Sequence, residues 1–457
     1  MSDEGLRAAL DKMREAGVAQ EAMNAFEHYY RQLEAGETGL MPEDSIEPVS
    51  DLPALEELAT DVQAEHEALQ KAIVLRLNGG LGTSMGLTAA KSLLEAKDGL
   101  SFLDIIARQV LALRGEHDCR LPLLLMDSFS TREDSLDALA DYAELDVGLP
   151  LDFIQSKEPK ILVEDLMPAE WPDDPALEWC PPGHGDLYTA LVTSGMLAQL
   201  LERGFEYAFV ANSDNLGAVL DARILAWLRA ERIPFLMEVT ERTEADRKGG
   251  HLARRREDGR LVLRETAQTP EEDLEALQDL SKHQYANTNN LWLDLRALDA
   301  AMREREGVLG LPMIRNEKTL DPADKSTPAV YQLETAMGAA IEVFEGARAL
   351  IVPRTRFAPV KTTDDLLALR SDAYRLTDGA RVELARPTVP IVTLDSDYFK
   401  LLRDFEARFP DGPPSLVECE RLEVEGDVRF GAGVVVRGSV QVTGPRVIED
   451  GTILDGS

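Results

Sequence analysis

Cysteine is scarce in this sequence. Its 457 residues include 3 cysteines, Cys119, Cys180 and Cys419, which lie far apart in the chain. Their spacing excludes a disulfide-built scaffold and a cysteine-rich zinc site. No stretch of about 18 apolar residues occurs, which excludes a membrane-spanning helix. The N-terminus lacks a basic segment followed by an apolar one, which argues against a secretory signal. We therefore expect a cytoplasmic protein.

Basic residues are also few. The chain has 48 lysines and arginines against 83 aspartates and glutamates, which gives a formal net charge of −35. Such a charge repels nucleic acid and anionic lipid, so neither a nucleic acid nor a membrane is an expected partner. The same field repels nucleotides. A phosphate-binding site in this chain must therefore be locally positive or contain a metal ion.

The length predicts two or three domains. Residues 1–70 carry apolar side chains at helical spacing and predict a helical N-terminal extension. From residue 71 to about residue 350, short apolar runs alternate with helical segments, which predicts an α/β domain with a mostly parallel sheet. We place this domain at residues 71–377. From Val417, short β-branched segments are separated by glycines, which is typical of a β-solenoid, and we place a C-terminal β-solenoid domain at residues 378–457. That solenoid could close the core as a lid or form a homo-oligomer interface through its exposed strand edges.

A glycine-rich loop follows the predicted strand 73–77. It contains Gly79, Gly80, Gly82 and Gly86, and Lys91 follows shortly after. Glycines allow backbone N–H groups to approach an anion, and the lysine adds a mobile positive charge. The spacing fits neither the dinucleotide-binding fingerprint nor the P-loop. It fits the Gly-Gly-x-Gly-Thr turn of sugar-nucleotide pyrophosphorylases, which also have a lysine a few residues beyond.

A second polar segment follows the predicted strand 207–211. Ligands of α/β folds bind at the carboxyl ends of strands. Asp214 lies at such an end, where one carboxylate oxygen can bind Mg²⁺ while phosphates and water complete the octahedron. Alternatively, Asp214 could cap the helix that follows.

Beyond these two segments, the sequence resembles the eukaryotic-type UTP–glucose-1-phosphate uridylyltransferase (UDP-glucose pyrophosphorylase) family. The resemblance is continuous over about residues 71–377. The segments that carry it are Leu77-Asn78-Gly79-Gly80-Leu81-Gly82-Thr83-Ser84-Met85-Gly86, Asp127-Ser128-Phe129-Ser130-Thr131, Gln155-Ser156-Lys157-Glu158-Pro159-Lys160, Pro181-Pro182-Gly183-His184-Gly185-Asp186, Asp214-Asn215-Leu216-Gly217-Ala218, Asn287-Thr288-Asn289-Asn290-Leu291-Trp292, Gln332-Leu333-Glu334-Thr335-Ala336 and Pro359-Val360-Lys361-Thr362-Thr363-Asp364.

The resemblance implies a Rossmann-like nucleotidyltransferase (GT-A-like) domain with a mixed sheet over residues 71–377. It also implies a C-terminal domain like a left-handed parallel β-helix. The implied enzyme is a nucleotidyltransferase that forms UDP-glucose and pyrophosphate, reversibly and with Mg²⁺, from UTP and glucose 1-phosphate. In this reaction the sugar phosphate attacks the α-phosphorus of UTP directly.

The resemblance also assigns site residues. The catalytic pair is Lys91 and Lys361, and Asp214 is the metal ligand. The implied nucleotide-binding residues are Leu77, Asn78, Gly79, Gly80, Gln155, Gly183, Asn212, Ser213 and Asp214. The implied residues for the sugar phosphate are Gly79, Gly80, His184, Glu265 and Asn289.

Two segments depart from the family pattern. Thr88-Ala89-Ala90 replaces Lys-Gly-Pro before the loop lysine, and Asp127 stands where asparagine is common. The alternatives are a UDP-N-acetylglucosamine or broad-specificity UDP-sugar pyrophosphorylase and a non-catalytic sugar-nucleotide-binding protein. Ser84 favours the glucose enzyme over the first, which typically has arginine after the loop threonine. Retention of both lysines argues against the second, because a pure binder needs no transition-state charges.

Overall fold

The structure is a computed structural model that describes residues 2–247 and 249–456. In chain order, the helices are α1 Ser2–Glu15, α2 Gln20–Glu34, α3 Val62–Leu69, α4 Phe102–His117, α5 Arg132–Leu139, α6 Leu187–Thr193, α7 Met196–Glu202, α8 Ala222–Glu231, α9 Leu274–Gln278, α10 Leu295–Glu304, α11 Thr363–Arg370, α12 Ser396–Phe399 and α13 Leu402–Arg408.

Short strands alternate with these helices. They are β1 Ile46–Glu47, β2 Ala72–Leu77, β3 Glu95–Lys97, β4 Leu100–Ser101, β5 Leu123–Asp127, β6 Asp152–Ile154, β7 Glu158–Pro159, β8 Ile161–Leu162, β9 Trp179–Cys180, β10 Tyr207–Asn212, β11 Phe235–Glu241, β12 His251–Arg255, β13 Leu261–Arg264, β14 Tyr285–Asp294, β15 Met313–Thr319, β16 Ala329–Thr335, β17 Arg348–Ile351, β18 Tyr374–Leu376, β19 Val382–Leu384, β20 Ile391–Leu394, β21 Cys419–Glu425, β22 Val428–Phe430, β23 Val435–Thr443, β24 Arg446–Ile448 and β25 Ile453–Gly456.

The chain divides into two compact units. The first unit comprises residues 1–75, 153–210 and 221–353, and the second comprises residues 76–152, 211–220 and 354–457. The boundaries fall inside β2 and β10, so the last residues of both strands belong to the second unit. The units are therefore assembled from interleaved chain segments. The division at residues 70 and 377 stays a prediction.

The first unit contains a mixed sheet. Its long strand β14 runs antiparallel to both β10 and β11, whereas β11 and β17 are parallel. Strands β12 and β13 form an antiparallel hairpin around Gly259, which has a φ of +72°. The sheet is thus mixed, as the resemblance implies, and not mostly parallel as the alternation of elements predicts. Alternation identifies the strands but does not fix the direction of β14.

The N-terminal helices belong to this unit. Their apolar faces form one buried cluster with side chains of β8, β15 and β16; the helical members are Leu6, Ala9, Met13, Met23, Phe26, Tyr30 and Leu33, and the strand members are Ile161, Met313 and Leu333. The predicted helical character of residues 1–70 is confirmed for α1, α2 and α3.

The second unit places α4 beside the glycine-rich segment and ends in parallel strands. Ser101 caps α4, since its hydroxyl accepts the Asp104 amide at 3.1 Å. Near the C-terminus, β20, β21, β23 and β25 form a four-stranded parallel sheet, and β22 and β24 form a second parallel pair. Phe409 stacks on Phe430 with ring centroids 4.9 Å apart, which packs the helical segment α12–α13 on β22.

Candidate active site

The glycine-rich loop leaves strand β2 and closes on itself in the second unit. The Asn78 amide donates to the Met126 carbonyl of β5 at 2.8 Å, and the Lys91 amide donates to the Gly80 carbonyl at 3.0 Å. Gly82 has a φ of +64°, a left-handed conformation that glycine adopts without strain. A Cβ at Gly80 would meet nothing within 4 Å. The loop therefore offers open backbone that a phosphate could approach.

Lys91 and Asp214 form an ion pair at the end of this loop. The Lys91 ammonium lies 2.8 Å from Oδ2 of Asp214, and the two side chains are 17% and 22% exposed. Oδ1 of Asp214 is buried and accepts no hydrogen bond from the described residues. The Asp214 carbonyl accepts the Val360 amide at 3.1 Å, one residue before Lys361, whose side chain is exposed. The second unit thus brings Lys91 and Asp214 into contact and places Lys361 next to a backbone partner of Asp214.

The other predicted residues of this unit adjoin the same segments. Leu77 accepts the Ser213 amide through its carbonyl at 3.2 Å, so the ends of β2 and β10 are joined. The Asn212 carbonyl accepts a hydrogen bond from Nη1 of Arg76 at 3.3 Å. The unit therefore contains Leu77, Asn78, Gly79, Gly80, Lys91, Asn212, Ser213, Asp214 and Lys361.

Arg76 is a buried arginine that the sequence analysis missed. Its guanidinium donates to the carbonyls of Asn212, Asn215 and Ala218, and the residue is 2% exposed. Burial, with the nearby charge of Arg356, lowers the pKa of Arg76 to about 9. Its carbonyl partners lie on both sides of Asp214 in the sequence, so Arg76 holds the segment that carries the carboxylate. The signal in the sequence was one charged residue inside the apolar run of β2.

The predicted residues Gly183 and His184 of the first unit lie in one loop. In this loop, the Pro182 carbonyl accepts the Thr335 amide at 3.0 Å. Gly183 has a φ of +78° and a Cβ there would lie 2.6 Å from the Thr335 carbonyl oxygen, so only glycine fits. Nδ1 of His184 accepts the Met337 amide at 3.0 Å. This bond leaves the hydrogen of a neutral imidazole on Nε2, the nitrogen free to donate to a ligand.

Gln155 precedes a residue that is bonded to this loop. The Ser156 amide donates to Oδ2 of Asp186 at 2.5 Å. Asp186 is 5% exposed, and burial raises its pKa to about 6. The carboxylate therefore ties the segment that carries Gln155 to the segment that carries Gly183 and His184.

Asn289 and Glu265 are the remaining predicted residues of this unit, and each is held by its own contacts. Asn289 adopts a φ of +57° and is fixed by a reciprocal pair, since its amide donates to Oδ1 of Asn287 and Nδ2 of Asn287 donates to its Oδ1, both at 2.9 Å. A Cβ at Gly250 would lie 2.4 Å from Oε2 of Glu265, so this glycine makes room for the carboxylate. The first unit thus contains Gln155, Gly183, His184, Glu265 and Asn289.

The predicted metal ligand is a single carboxylate. Within residues 2–247 and 249–456, no group of three or more histidine, cysteine, aspartate or glutamate side chains could hold a metal ion. Mg²⁺ is commonly bound by one or two carboxylates together with substrate phosphates and water. Asp214 fits that chemistry, because one of its oxygens is buried without a hydrogen bond and the other already faces a positive charge.

The sequence profile of the UTP–glucose-1-phosphate uridylyltransferase family matches residues 23–437. The chain belongs to this family. A relative of the same name from Hordeum vulgare is 41% identical over 406 residues, which cover 86% of this chain and 83% of the relative. Another, from Saccharomyces cerevisiae, is 40% identical over 391 residues, which cover 85% of this chain and 76% of the relative.

Solved structures agree with the family assignment. A variant of UDP-glucose pyrophosphorylase from Leishmania major in complex with UDP-glucose is 47% identical to this uridylyltransferase family member. The comparison covers 99% of this chain and 98% of that one with a TM-score of 0.93. A UDP-glucose phosphorylase from Trypanosoma brucei is 45% identical with a TM-score of 0.92, and 99% of each chain is covered. In this uridylyltransferase family member, no helix among the described residues is long and apolar enough to cross a membrane.

A buried carboxylate in this uridylyltransferase family member was also missed. Glu238 of β11 is 0% exposed and accepts from Nδ2 of Asn290 and Nε1 of Trp292, both at 2.9 Å. The hydroxyl of Thr288 donates to the Glu238 carbonyl at 2.7 Å. Glu238 therefore fixes β14 on both sides of Asn289. Its signal in the sequence was an acid inside the apolar run Phe235–Val239.

Proposed function

We propose that this protein is a UTP–glucose-1-phosphate uridylyltransferase that forms UDP-glucose and pyrophosphate reversibly from UTP and glucose 1-phosphate. The observation that carries the proposal is the contact between Lys91 and Asp214 at the end of the glycine-rich loop. It joins the lysine that follows the loop to the carboxylate assigned to the cation, inside a region that matches the family.

The chemistry needs positioning and charge, not a strong base. The phosphate of glucose 1-phosphate is already an anionic nucleophile, and it attacks the α-phosphorus of UTP directly. Its oxygen forms the new bond to phosphorus while the bond to the leaving pyrophosphate breaks. The barrier comes from bringing two anions together and from the charge that develops on the phosphoryl oxygens. Lysines placed at those oxygens lower this barrier electrostatically.

We assign the phosphate chemistry to the glycine-rich loop and to two lysines. Lys91 and Lys361 bind the phosphates of UTP and stabilise the leaving pyrophosphate. The backbone of Leu77, Asn78, Gly79 and Gly80 forms the cradle, which the open space at Gly80 supports. Asn212 and Ser213 contact the ribose.

We assign base and sugar recognition to five further residues. Gln155 binds the uracil edge, because its amide offers both a donor and an acceptor, and Gly183 lets the base approach. His184 donates from Nε2 to the sugar phosphate, which is consistent with the bond at its Nδ1. Glu265 and Asn289 bind glucose hydroxyls.

We also assign a Mg²⁺ ion to Asp214. When bound there, the cation would supply positive charge at the phosphates and help to orient them. Because Oδ1 accepts no hydrogen bond from the described residues, the charge of this carboxylate is compensated only in part, which supports the assignment.

The remaining architecture is proposed with the function. We infer an N-terminal helical extension at 1–70, a GT-A-like catalytic domain at 71–377, and a left-handed parallel β-helix at 378–457. The parallel pairing of β20, β21, β23 and β25 supports the last of these. Strand β25 ends that sheet with an exposed Ile453, which supports a homo-oligomer built through this domain. Light scattering on the full chain tests for this homo-oligomer.

We also place the protein in the cytoplasm.

A pyrophosphate-release assay tests the reaction. The protein is incubated with UTP, Mg²⁺ and either glucose 1-phosphate or N-acetylglucosamine 1-phosphate. We expect release with the glucose substrate. Release only with the acetylated sugar would identify a UDP-N-acetylglucosamine pyrophosphorylase instead, and no release with any sugar phosphate would leave only a binding protein.

A further inference from the structure

Asp214, the carboxylate assigned to the divalent cation, already forms an ion pair with Lys91. The Lys91 ammonium lies 2.8 Å from Oδ2 of Asp214, within range of a charge-assisted hydrogen bond. We propose that Lys91 and the divalent cation compete for Asp214, so that arrival of the cation releases the lysine to the nucleotide phosphates. This inference rests on the proposed function for the identity of the phosphates, but the competition itself concerns only Lys91, Asp214 and a cation.

Because Asp214 is partly buried, the Lys91 ammonium and the divalent cation cannot both bind its carboxylate at the same time. Its Oδ1 is buried, although the side chain as a whole is 22% exposed. A six-coordinate cation needs water or phosphate oxygens around it. It must therefore approach from the accessible side of the carboxylate. Because Oδ1 is buried, Oδ2 is the oxygen left for this approach, and Lys91 is bonded to Oδ2.

The negative charge of Asp214 can be compensated either by Lys91 or by a divalent cation. No described residue donates a hydrogen bond to Oδ1, so the ion pair with Lys91 is the main compensation of this carboxylate. Without the lysine, a partly buried negative charge would stand alone, which is costly. Lys91 therefore stabilises Asp214 before the cation arrives, and the divalent cation takes over that role afterwards.

Because Gly82 has no side chain, the loop leaves space beside the side chain of Lys91. A Cβ at Gly82 would lie 3.2 Å from Cγ of Lys91 and 2.8 Å from Leu87, so a side chain at that position would crowd the lysine stem. The backbone of Lys91 stays fixed through its amide bond to Gly80. The long side chain can thus move from the carboxylate to a phosphate bound at the loop while its Cα remains in place.

Binding of Mn²⁺ without nucleotide tests the competition. Mn²⁺ serves as the probe, and electron paramagnetic resonance measures its free concentration with the full chain. We expect Lys91→Met to bind Mn²⁺ about tenfold more tightly than the unaltered protein, as the loss of one charge-assisted competitor predicts. The Asp214→Asn variant measures the weak Mn²⁺ binding that is due to the other acidic residues. Lys361→Met, which removes an exposed lysine that is not bonded to the Asp214 carboxylate, should change the affinity far less.

Two results would overturn the proposal. Equal or weaker Mn²⁺ binding by a folded Lys91→Met protein would show that the lysine does not compete. An equal gain in Lys361→Met would show only a general effect of removing positive charge. Because neither measurement contains UTP or a sugar phosphate, both outcomes are independent of whether the protein forms UDP-glucose.

A second measurement uses the unaltered protein, in case Lys91→Met does not fold. Brief acylation with an N-hydroxysuccinimide ester is followed by mass spectrometry, with and without Mg²⁺. We expect Mg²⁺ to raise the labelling of Lys91 severalfold and to leave that of Lys361 unchanged. Unchanged labelling of Lys91, at cation concentrations that fill the Asp214 site for Mn²⁺, would contradict the release of the lysine.

Discussion

Asn78 and Asp127 share a buried hydrogen bond directly after strand β2. Nδ2 of Asn78 donates to Oδ1 of Asp127 at 2.7 Å and to Oγ of Ser135 at 2.8 Å. Asp127 is 0% exposed, and its Oδ2 accepts no hydrogen bond from the described residues. Burial is the main reason that the pKa of Asp127 is raised to about 6. A carboxylate, at a position where the family pattern commonly has asparagine, thus orients Asn78, a residue of the proposed phosphate cradle.

The raised pKa of Asp127 predicts how its removal affects stability. Since the folded-state pKa lies above the ordinary value, the protonated form stabilises the fold, and this contribution is lost as pH rises from about 4 through about 6. Asp127→Asn cannot ionise but can still accept the Asn78 bond. The variant should therefore gain stability relative to the unaltered protein across this range, by at most about 3 kcal/mol above pH 6.

Urea unfolding from pH 4 to pH 8 measures the difference. Asp141→Asn is the control, because Asp141 is an exposed aspartate of the same unit. Its difference from the unaltered protein should stay flat over the same range. A flat difference for Asp127→Asn as well would show that Asp127 titrates normally.

Lys361 should act mainly in the transition state. Its side chain is exposed and makes no hydrogen bond with the described residues, whereas its backbone amide donates to Oδ2 of Asp365 at 2.7 Å. Lys361→Ala should lower kcat about 100- to 1,000-fold, the usual loss for one electrostatic stabiliser. UTP affinity, measured by calorimetry, should fall much less. Lys400→Ala removes an exposed lysine of the same unit and should leave both values unchanged. A fall in affinity as large as the fall in kcat would reassign Lys361 to ground-state binding.

Arg76 should control the order of the segment around Asp214. Arg76→Met would remove the guanidinium donor from the carbonyls of Asn212, Asn215 and Ala218. The carbonyls of Asn212 and Asn215 keep a backbone donor, so we expect a loss of about 1–3 kcal/mol in the free energy of unfolding. Hydrogen exchange should become faster in residues 211–220. Arg76→Lys keeps the positive charge and some of the hydrogen-bond donors, so it should lose less free energy of unfolding than Arg76→Met. Slow exchange in this segment of Arg76→Met would show that other contacts suffice.

The difference between predicted and observed features has a physical cause in each case. The glycine-rich loop, Lys91 and Asp214 were predictable because local spacing and strand ends determine where anions and cations bind. The contact between Lys91 and Asp214 at 2.8 Å was not predictable, because these residues lie far apart in the chain. Arg76 and Glu238 were missed because a charged residue in an apolar strand does not show which distant carbonyl or amide neutralises it. The antiparallel direction of β14 depends likewise on tertiary pairing.

Two glycine substitutions should separate ligand approach from fold stability. Gly80→Ala adds a Cβ into open space, so the melting temperature should stay unchanged while the affinity for UTP falls, because the methyl group blocks the backbone from the phosphates. Gly183→Ala is the contrasting variant. Its left-handed φ and the Thr335 carbonyl 2.6 Å from the added Cβ should cost about 1–3 kcal/mol of stability. Calorimetry with UTP and thermal unfolding measure the two effects, and unchanged UTP affinity in Gly80→Ala would exclude this glycine from the cradle.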